Sequence, residues 1–190
     1  MKLLLHCCCA PCSIQCVQAL VEEGIRPDLF WYNPNIHPFT EFRSRLDALK
    51  TFADEQKLPL IVNENYGLRS FIRETFPFVD KPYQETRERC CLCYEIRLKQ
   101  SALVAVKMGY DAFSTTLLIS PFQNHDEILK AGEKIAAAHG LAFVYRDFRP
   151  RFRESQSQAR ASSYYMQKYC GCIFSEEERY LGSCGAGDKK

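Results

Sequence analysis

Eleven cysteines stand in this 190-residue chain, and they are clustered. Cys7, Cys8, Cys9 and Cys12 follow one another closely. Cys90 and Cys93 make a Cys-x-x-Cys pair with Cys91 inside it. Cys170 and Cys172 are separated by one glycine. Thiolates are the ligands that soft metals select, and four of them hold either a tetrahedral zinc or an iron–sulfur cube. Cys8 and Cys9 are adjacent, and neighbouring side chains that point apart reach two irons of a cluster more readily than one small ion. Cys9-Ala-Pro-Cys12 also has the spacing of a thioredoxin-type redox pair. Cys170-Gly-Cys172 would close a strained ring on oxidation, which suits a thiol–disulfide relay; two more metal ligands are the alternative. So short a loop removes little unfolded-state entropy, so a fold-stabilising bond is the weaker reading. Cys16, in a helix interior, and Cys184, in the tail, read as a buried hydrophobe and a free thiol.

These thiols need elements to position them. Residues 2–5 are short, apolar and quickly interrupted, as a buried strand is. From Ser13 onward, Ile14, Val17, Leu20 and Val21 share a helical face that Gly24 ends. The first cluster therefore sits on a strand-to-helix turn. In an open parallel sheet such a turn lies at the ligand-binding carboxyl edge, and a helix N-terminus favours thiolate over thiol. Residues 28–32 form a second strand, followed by the loop Asn33-Pro-Asn-Ile-His37-Pro38. Phe42, Leu46, Leu49 and Ala53 mark an amphipathic helix with Arg43, Arg45, Asp47 and Lys50 on its surface. Residues 60–62 are a third strand, 67–76 a short helix, and 77–83 irregular because of Pro77 and Pro82. A long helix over 86–108 carries Cys90, Cys91 and Cys93 near its start. A fourth strand over 112–118, a helix over 125–139 and a fifth strand over 141–145 follow.

The order predicts an α/β fold: an open, mainly parallel, doubly wound sheet of Rossmann-like type with a helical, cysteine-containing C-terminal appendage. Residues 1–150 form the sheet domain and 151–190 the extension, in one compact unit. In the extension a polar helix is expected over 154–168, with Tyr164, Tyr165 and Tyr169 at its end. Residues 182–190 read as frayed. No internal repeat is visible.

A net charge of +2 gives no global signature of nucleic-acid binding. A local one exists: Arg146, Arg149, Arg151 and Arg153 interleave with Phe148 and Phe152. Guanidinium groups for phosphates and rings for unstacked bases suit an RNA loop; a solvated connection is the plainer reading. Three leucines after Lys2 are too few for the apolar run of a secretory signal. Cysteine-rich secreted scaffolds are also much shorter. The expectation is a reducing, cytoplasmic setting in which the cysteines hold metal or carry electrons. His6 and His37 flank the expected cleft as proton donors or, more ordinarily, as structural residues.

The chain resembles the QueH-type epoxyqueuosine reductases. The matching pieces are Leu3-Leu-Leu-His6-Cys-Cys8-Cys9-Ala-Pro-Cys12-Ser13, Tyr32-Asn-Pro-Asn-Ile-His37-Pro38, Arg89-Cys90-Cys-Leu-Cys93-Tyr94-Glu-Ile-Arg97-Leu98, Thr115-Thr-Leu-Leu-Ile-Ser120-Pro121 and Tyr169-Cys170-Gly-Cys172-Ile173-Phe-Ser175. They keep their order across nearly the whole chain. The resemblance implies an oxidoreductase of tRNA modification that removes the epoxide oxygen of epoxyqueuosine at the wobble position of the anticodon loop. It implies a [4Fe-4S] cluster on Cys8, Cys9, Cys90 and Cys93, an adjacent mononuclear iron, no cobalamin, and a redox-active pair at Cys170 and Cys172. Cys7 and Cys91 adjoin the implied ligands and leave the register open at both pairs. Cys12 is a candidate ligand of the second iron. The electron donor is not named by any residue.

Two rivals compete. An iron–sulfur tRNA-thiolating enzyme of PP-loop type would share the fold pattern, but the first turn here lacks the glycines whose N–H groups cradle ATP phosphates. A zinc-stabilised RNA-binding module would use the same thiols without redox chemistry.

Overall fold

Three consecutive leucines open the first strand because both faces of the centre of a parallel sheet are covered. In the computed structural model, which describes residues 1–79 and 87–181, strand β1 (Leu3–His6) is buried along its whole length. It is hydrogen-bonded to β2 (Asp28–Trp31) on one side and β4 (Ala112–Thr115) on the other. β3 (Leu60–Val62) pairs with β2, and β5 (Ala142–Phe143) pairs with β4. All pairings are parallel, in the order β3-β2-β1-β4-β5. This is the open, doubly wound α/β sheet expected. Chain direction across the sheet reverses between β1 and β4, so the crevice where such folds bind ligands opens at the carboxyl ends of these two strands.

Helix α1 (Ala10–Glu22) starts three residues before the expected position. The cause is local: Cys9 is the N-cap, its sulfur accepting the Cys12 N–H at 3.3 Å, and Pro11 occupies the first turn, where no N–H is needed. Cys12 thus lies on the helix rather than ahead of it. α2 (Phe39–Glu55) and α3 (Leu68–Thr75) follow β2 and β3. Gly67 is left-handed (φ 66°), and a Cβ there would come within 2.4 Å of Pro34, so only glycine lets this turn close on the Asn33–Pro38 loop. α4 (Arg87–Lys107) packs on α5 (His125–His139), and α6 (Phe152–Ala161) packs on α1.

β5 is shorter than expected, with only the Val144 N–H continuing toward β4 through Phe113 O. The tail departs most. α6 ends at Ala161, and residues 162–172 form an irregular strap of turns and bends instead of more helix. Its tyrosines explain this: the hydroxyls of Tyr164 and Tyr165 bond the α2 carboxylates of Glu55 and Glu41, which a continued helix could not reach. A last helix, α7 (Ile173–Leu181), was not legible in the periodicity. Pro82, Tyr83, Thr86, Cys184 and the stretch 182–190 lie outside the described residues.

Candidate metal and redox site

The β1–α1 turn folds its sulfurs inward. Cys8, Cys9 and Cys12 are buried, and their Sγ atoms all lie within 4.8 Å of one another. Cys8 and Cys9 Sγ are 3.7 Å apart. That is close to the ~3.8 Å that two thiolates subtend on one tetrahedral metal at ~2.3 Å. The two adjacent sulfurs converge, so the argument that neighbours must diverge does not hold here. Every cysteine among the described residues is a free thiol.

The end of β4 supplies the other wall. The Thr116 hydroxyl accepts the Cys8 N–H at 3.2 Å and lies 3.6 Å from the Cys8 sulfur as a donor. Hydrogen bonds from Cys12 and Cys9, helped by Thr116 and the Arg97 charge, hold the Cys8 thiol well below its usual range despite burial. Burial pushes Cys9 up, and donation toward Cys8 and Cys9 pushes Cys12 up. A water-poor site accommodates one of the three thiolates; three need a cation among them. The donor set therefore fits a thiophilic metal.

The neighbouring cysteines make contacts of their own. Cys7 bonds the Leu5 carbonyl at 3.3 Å, away from the triad, and burial raises its thiol to about 12. Cys91 turns toward Glu127 on α5, at 3.7 Å. Cys16 is fully buried and kept neutral by burial, as a packing residue should be. Cys90 and Cys93 stand outside the group of mutually close sulfurs. Burial raises Cys90 to about 11 and Cys93 to about 12, and both lie within electrostatic reach of Cys170 and Cys172.

Arg97 joins the two halves. It is almost completely buried, its Nε donates to the Cys93 carbonyl at 3.2 Å, and its Nη2 has no hydrogen-bond partner among the described residues. Burial opposes its charge, yet Cys93, Cys170 and Cys8 together hold its pKa above the ordinary value. One buried guanidinium thus interacts electrostatically with cysteines from all three sequence clusters.

The Cys170-Gly171-Cys172 segment is anchored from two sides. Arg45 was expected on the α2 surface; it is instead 1% exposed. Its Nε pairs with Glu41 at 2.6 Å, while Nη1 and Nη2 donate to the carbonyls of Cys170 and Tyr169, each at 2.9 Å. The His37 N–H donates to Gly171 O at 2.8 Å, and Tyr169 OH donates to His37 O at 2.5 Å. Gly171 has φ 134°, and a Cβ there would press on Ile36 and Arg45, so the residue between the cysteines has to be glycine. On the other side Arg89 of α4 pairs with Glu178 of α7 at 2.6 Å and covers the Phe174 ring. Cys170 reaches solvent, where Gln123 Nε2 donates to its sulfur at 3.4 Å; Tyr94 OH holds that amide at 2.8 Å. Arg45, Arg97, Thr116, Gln123 and Gln167 were not singled out by sequence reasoning, because only the folded chain puts them beside sulfur.

Both histidines are structural. His6 bonds Thr115 Oγ1 (2.9 Å) and donates to Tyr32 O (3.1 Å). Burial lowers its pKa to about 4. His37 packs against the Tyr66 and Phe71 rings, and burial lowers it to about 4 as well. Burial thus favours the neutral imidazole over the imidazolium for both. Of the interleaved arginines, Arg146 pairs with Glu23 (2.9 Å), Arg149 with Asp147 (2.6 Å) and Arg151 with Glu22 (2.5 Å), while Phe148 is in the core. Arg153 is exposed with no ion pair among the described residues.

The fold and the site together define a doubly wound α/β protein with a buried, metal-competent thiol triad. A family model described as epoxyqueuosine reductase QueH matches residues 3–178. The epoxyqueuosine reductase QueH of Dehalococcoides mccartyi is 38% identical over 179 residues, covering 94% of each chain. That of Thermotoga maritima is 34% identical over 183 residues, covering 93% of this chain and 91% of its own. That of Acinetobacter baylyi is 34% identical over 178 residues, covering 92% and 80%. The chain belongs to the epoxyqueuosine reductase QueH family, a family of oxidoreductases. No helix among the described residues is long and apolar enough to cross a membrane.

Proposed function

We propose that this protein reduces epoxyqueuosine in the anticodon loop of tRNA to queuosine, in the reducing cytoplasm. The observation that carries the reading is the buried Cys8–Cys9–Cys12 triad at the topological switch point, with the buried Arg97 guanidinium interacting electrostatically with Cys8 of the triad and with Cys170.

The reaction breaks both C–O bonds of the epoxide, forms a C=C bond and releases the oxygen as water. It consumes two electrons and two protons. Cys170 and Cys172 supply both when their two S–H groups become one S–S bond, and an external reductant restores them. An iron–sulfur cluster held by Cys8, Cys9, Cys90 and Cys93, with an adjacent iron at Cys12, would supply one-electron transfer and Lewis-acid polarisation of the epoxide oxygen. The chain's own groups do the rest. Arg97 stabilises negative charge shared among the sulfurs. Arg45 and Glu41 hold the strap so that the dithiol stays at the crevice. Gln123 orients the Cys170 sulfur, and the buried walls keep water from the reacting centre. His6 and His37, neutral and enclosed, shape the site without donating protons.

The test is anaerobic purification followed by metal and sulfide analysis, then turnover of epoxyqueuosine-containing tRNA with a low-potential reductant and nucleoside mass spectrometry. Iron, sulfide, brown colour and a product 16 Da lighter are expected from loss of one oxygen atom. Zinc without colour, and no product, would support the RNA-binding module instead.

A further inference from the structure

Gln167 is a strap side chain hydrogen-bonded to the thiol triad. Its Nε2 lies 3.0 Å from Cys9 Sγ and 3.5 Å from Cys12 Sγ. Its Oε1 is buried with no hydrogen-bond partner among the described residues. An amide that leaves its oxygen unpaired while turning its nitrogen to two sulfurs is placed for those sulfurs, since an unmet buried acceptor is a cost. The placement is enforced on both sides: Tyr164 and Tyr165 are tied to Glu55 and Glu41, and Tyr169 and Cys170 to Arg45 and His37. Nothing about Gln167 itself keeps it there. The same strap therefore delivers both the dithiol and a hydrogen-bond donor to the triad.

We propose that Gln167 is a positioning residue that raises the reduction potential of the iron–sulfur centre for which Cys9 is a ligand. The inference rests on the function proposed above. A donor to a ligating sulfur withdraws electron density from it and stabilises the reduced, more negative state more than the oxidised one. The Arg97 charge acts on Cys8, whereas the Gln167 amide acts on Cys9 and Cys12.

The experiment is a redox titration of the anaerobically purified, iron-loaded protein, followed by visible absorbance, for the parent chain, Gln167→Leu and Gln167→Glu. Iron and sulfide are counted and melting is recorded for each. The parent's metal content is read first: absence of iron there overturns the proposed function itself. With a loaded parent, Gln167→Leu is expected to keep its iron and melting temperature. At the parent's midpoint its reduced-to-oxidised ratio should fall about tenfold, ~59 mV for a one-electron couple. Gln167→Glu, the same size with a negative charge, should shift further in the same direction. Midpoints within twofold of the parent ratio in both loaded variants overturn the inference. Should the leucine variant fail to fold, the near-isosteric glutamate variant decides alone, and an unchanged or raised potential there overturns it.

Discussion

Replacing Arg45 by methionine will loosen the strap that carries the dithiol, and the structure sets the size of the effect. The guanidinium and Glu41 are 1% and 7% exposed, with N···O 2.6 Å. Removing one member of such a pair strands the other as a buried charge, at about 3–5 kcal/mol. Arg45 also donates to the Tyr169 and Cys170 carbonyls, bonds worth about 1.5–3 kcal/mol each when the donor is charged. These terms overlap and do not add. Against a domain stability of about 5–15 kcal/mol, the single variant folds with little margin. A second substitution separates the two effects. Arg45→Met with Glu41→Leu removes the stranded carboxylate, so most of the global stability returns, but the strap still lacks its anchors. Urea denaturation reads the first quantity and hydrogen exchange over residues 165–172 the second. The single variant should lose about 3–5 kcal/mol and the double variant much less. In both, exchange in the strap should rise about 10-fold or more, since each 1.4 kcal/mol of lost protection is about tenfold. Turnover should fall in both. A single variant that loses under about 1 kcal/mol, or a double variant whose strap stays as protected as the parent's, would refute the reasoning.

Cys12→Ala should lower the iron count while leaving the brown absorbance in place, measured by metal analysis and spectroscopy; an unchanged count in a fully loaded sample removes Cys12 from the metal site. His37 makes the fold acid-sensitive: its pKa is held at about 4 against 6.5 unfolded, so as pH falls from 6.5 toward 4 only the unfolded chain takes up the proton and stability drops. Urea denaturation at pH 7 and pH 5 should show His37→Phe losing about 2 kcal/mol less than the parent on acidification; equal losses mean the ring is not kept neutral by burial. His6, lowered in the same direction, contributes to both proteins and cancels. Phe122 is 84% exposed beside Gln123, which touches the Cys170 sulfur. Phe122→Ala should raise KM for tRNA about 5- to 150-fold, the range for losing one base-stacking platform, with melting unchanged and Phe122→Trp restoring it.

Much of this protein is written locally. Leu3-Leu-Leu, the glycine stops and the alternation of strands and helices required an α/β sheet, because each period is a property of one element. The thiol turn was legible for the same reason, and its motifs carried the family. The helix start at Ala10 was missed by three residues because a cysteine, not a hydroxyl or carboxylate, serves as N-cap. The order β3-β2-β1-β4-β5 was beyond any local pattern, and it decides which strand ends share a crevice. Only that order brings Thr116 to Cys8 and puts one buried guanidinium within electrostatic reach of cysteines from three distant segments. Arg45 and Gln167 look like ordinary polar surface residues in the linear chain. Burial and hydrogen bonding are properties of what surrounds a group, and both residues bond partners more than a hundred residues away. The residue types that can hold iron were set by the sequence; the tertiary structure alone determined which sulfurs converge, which charges face them and where the strap lies.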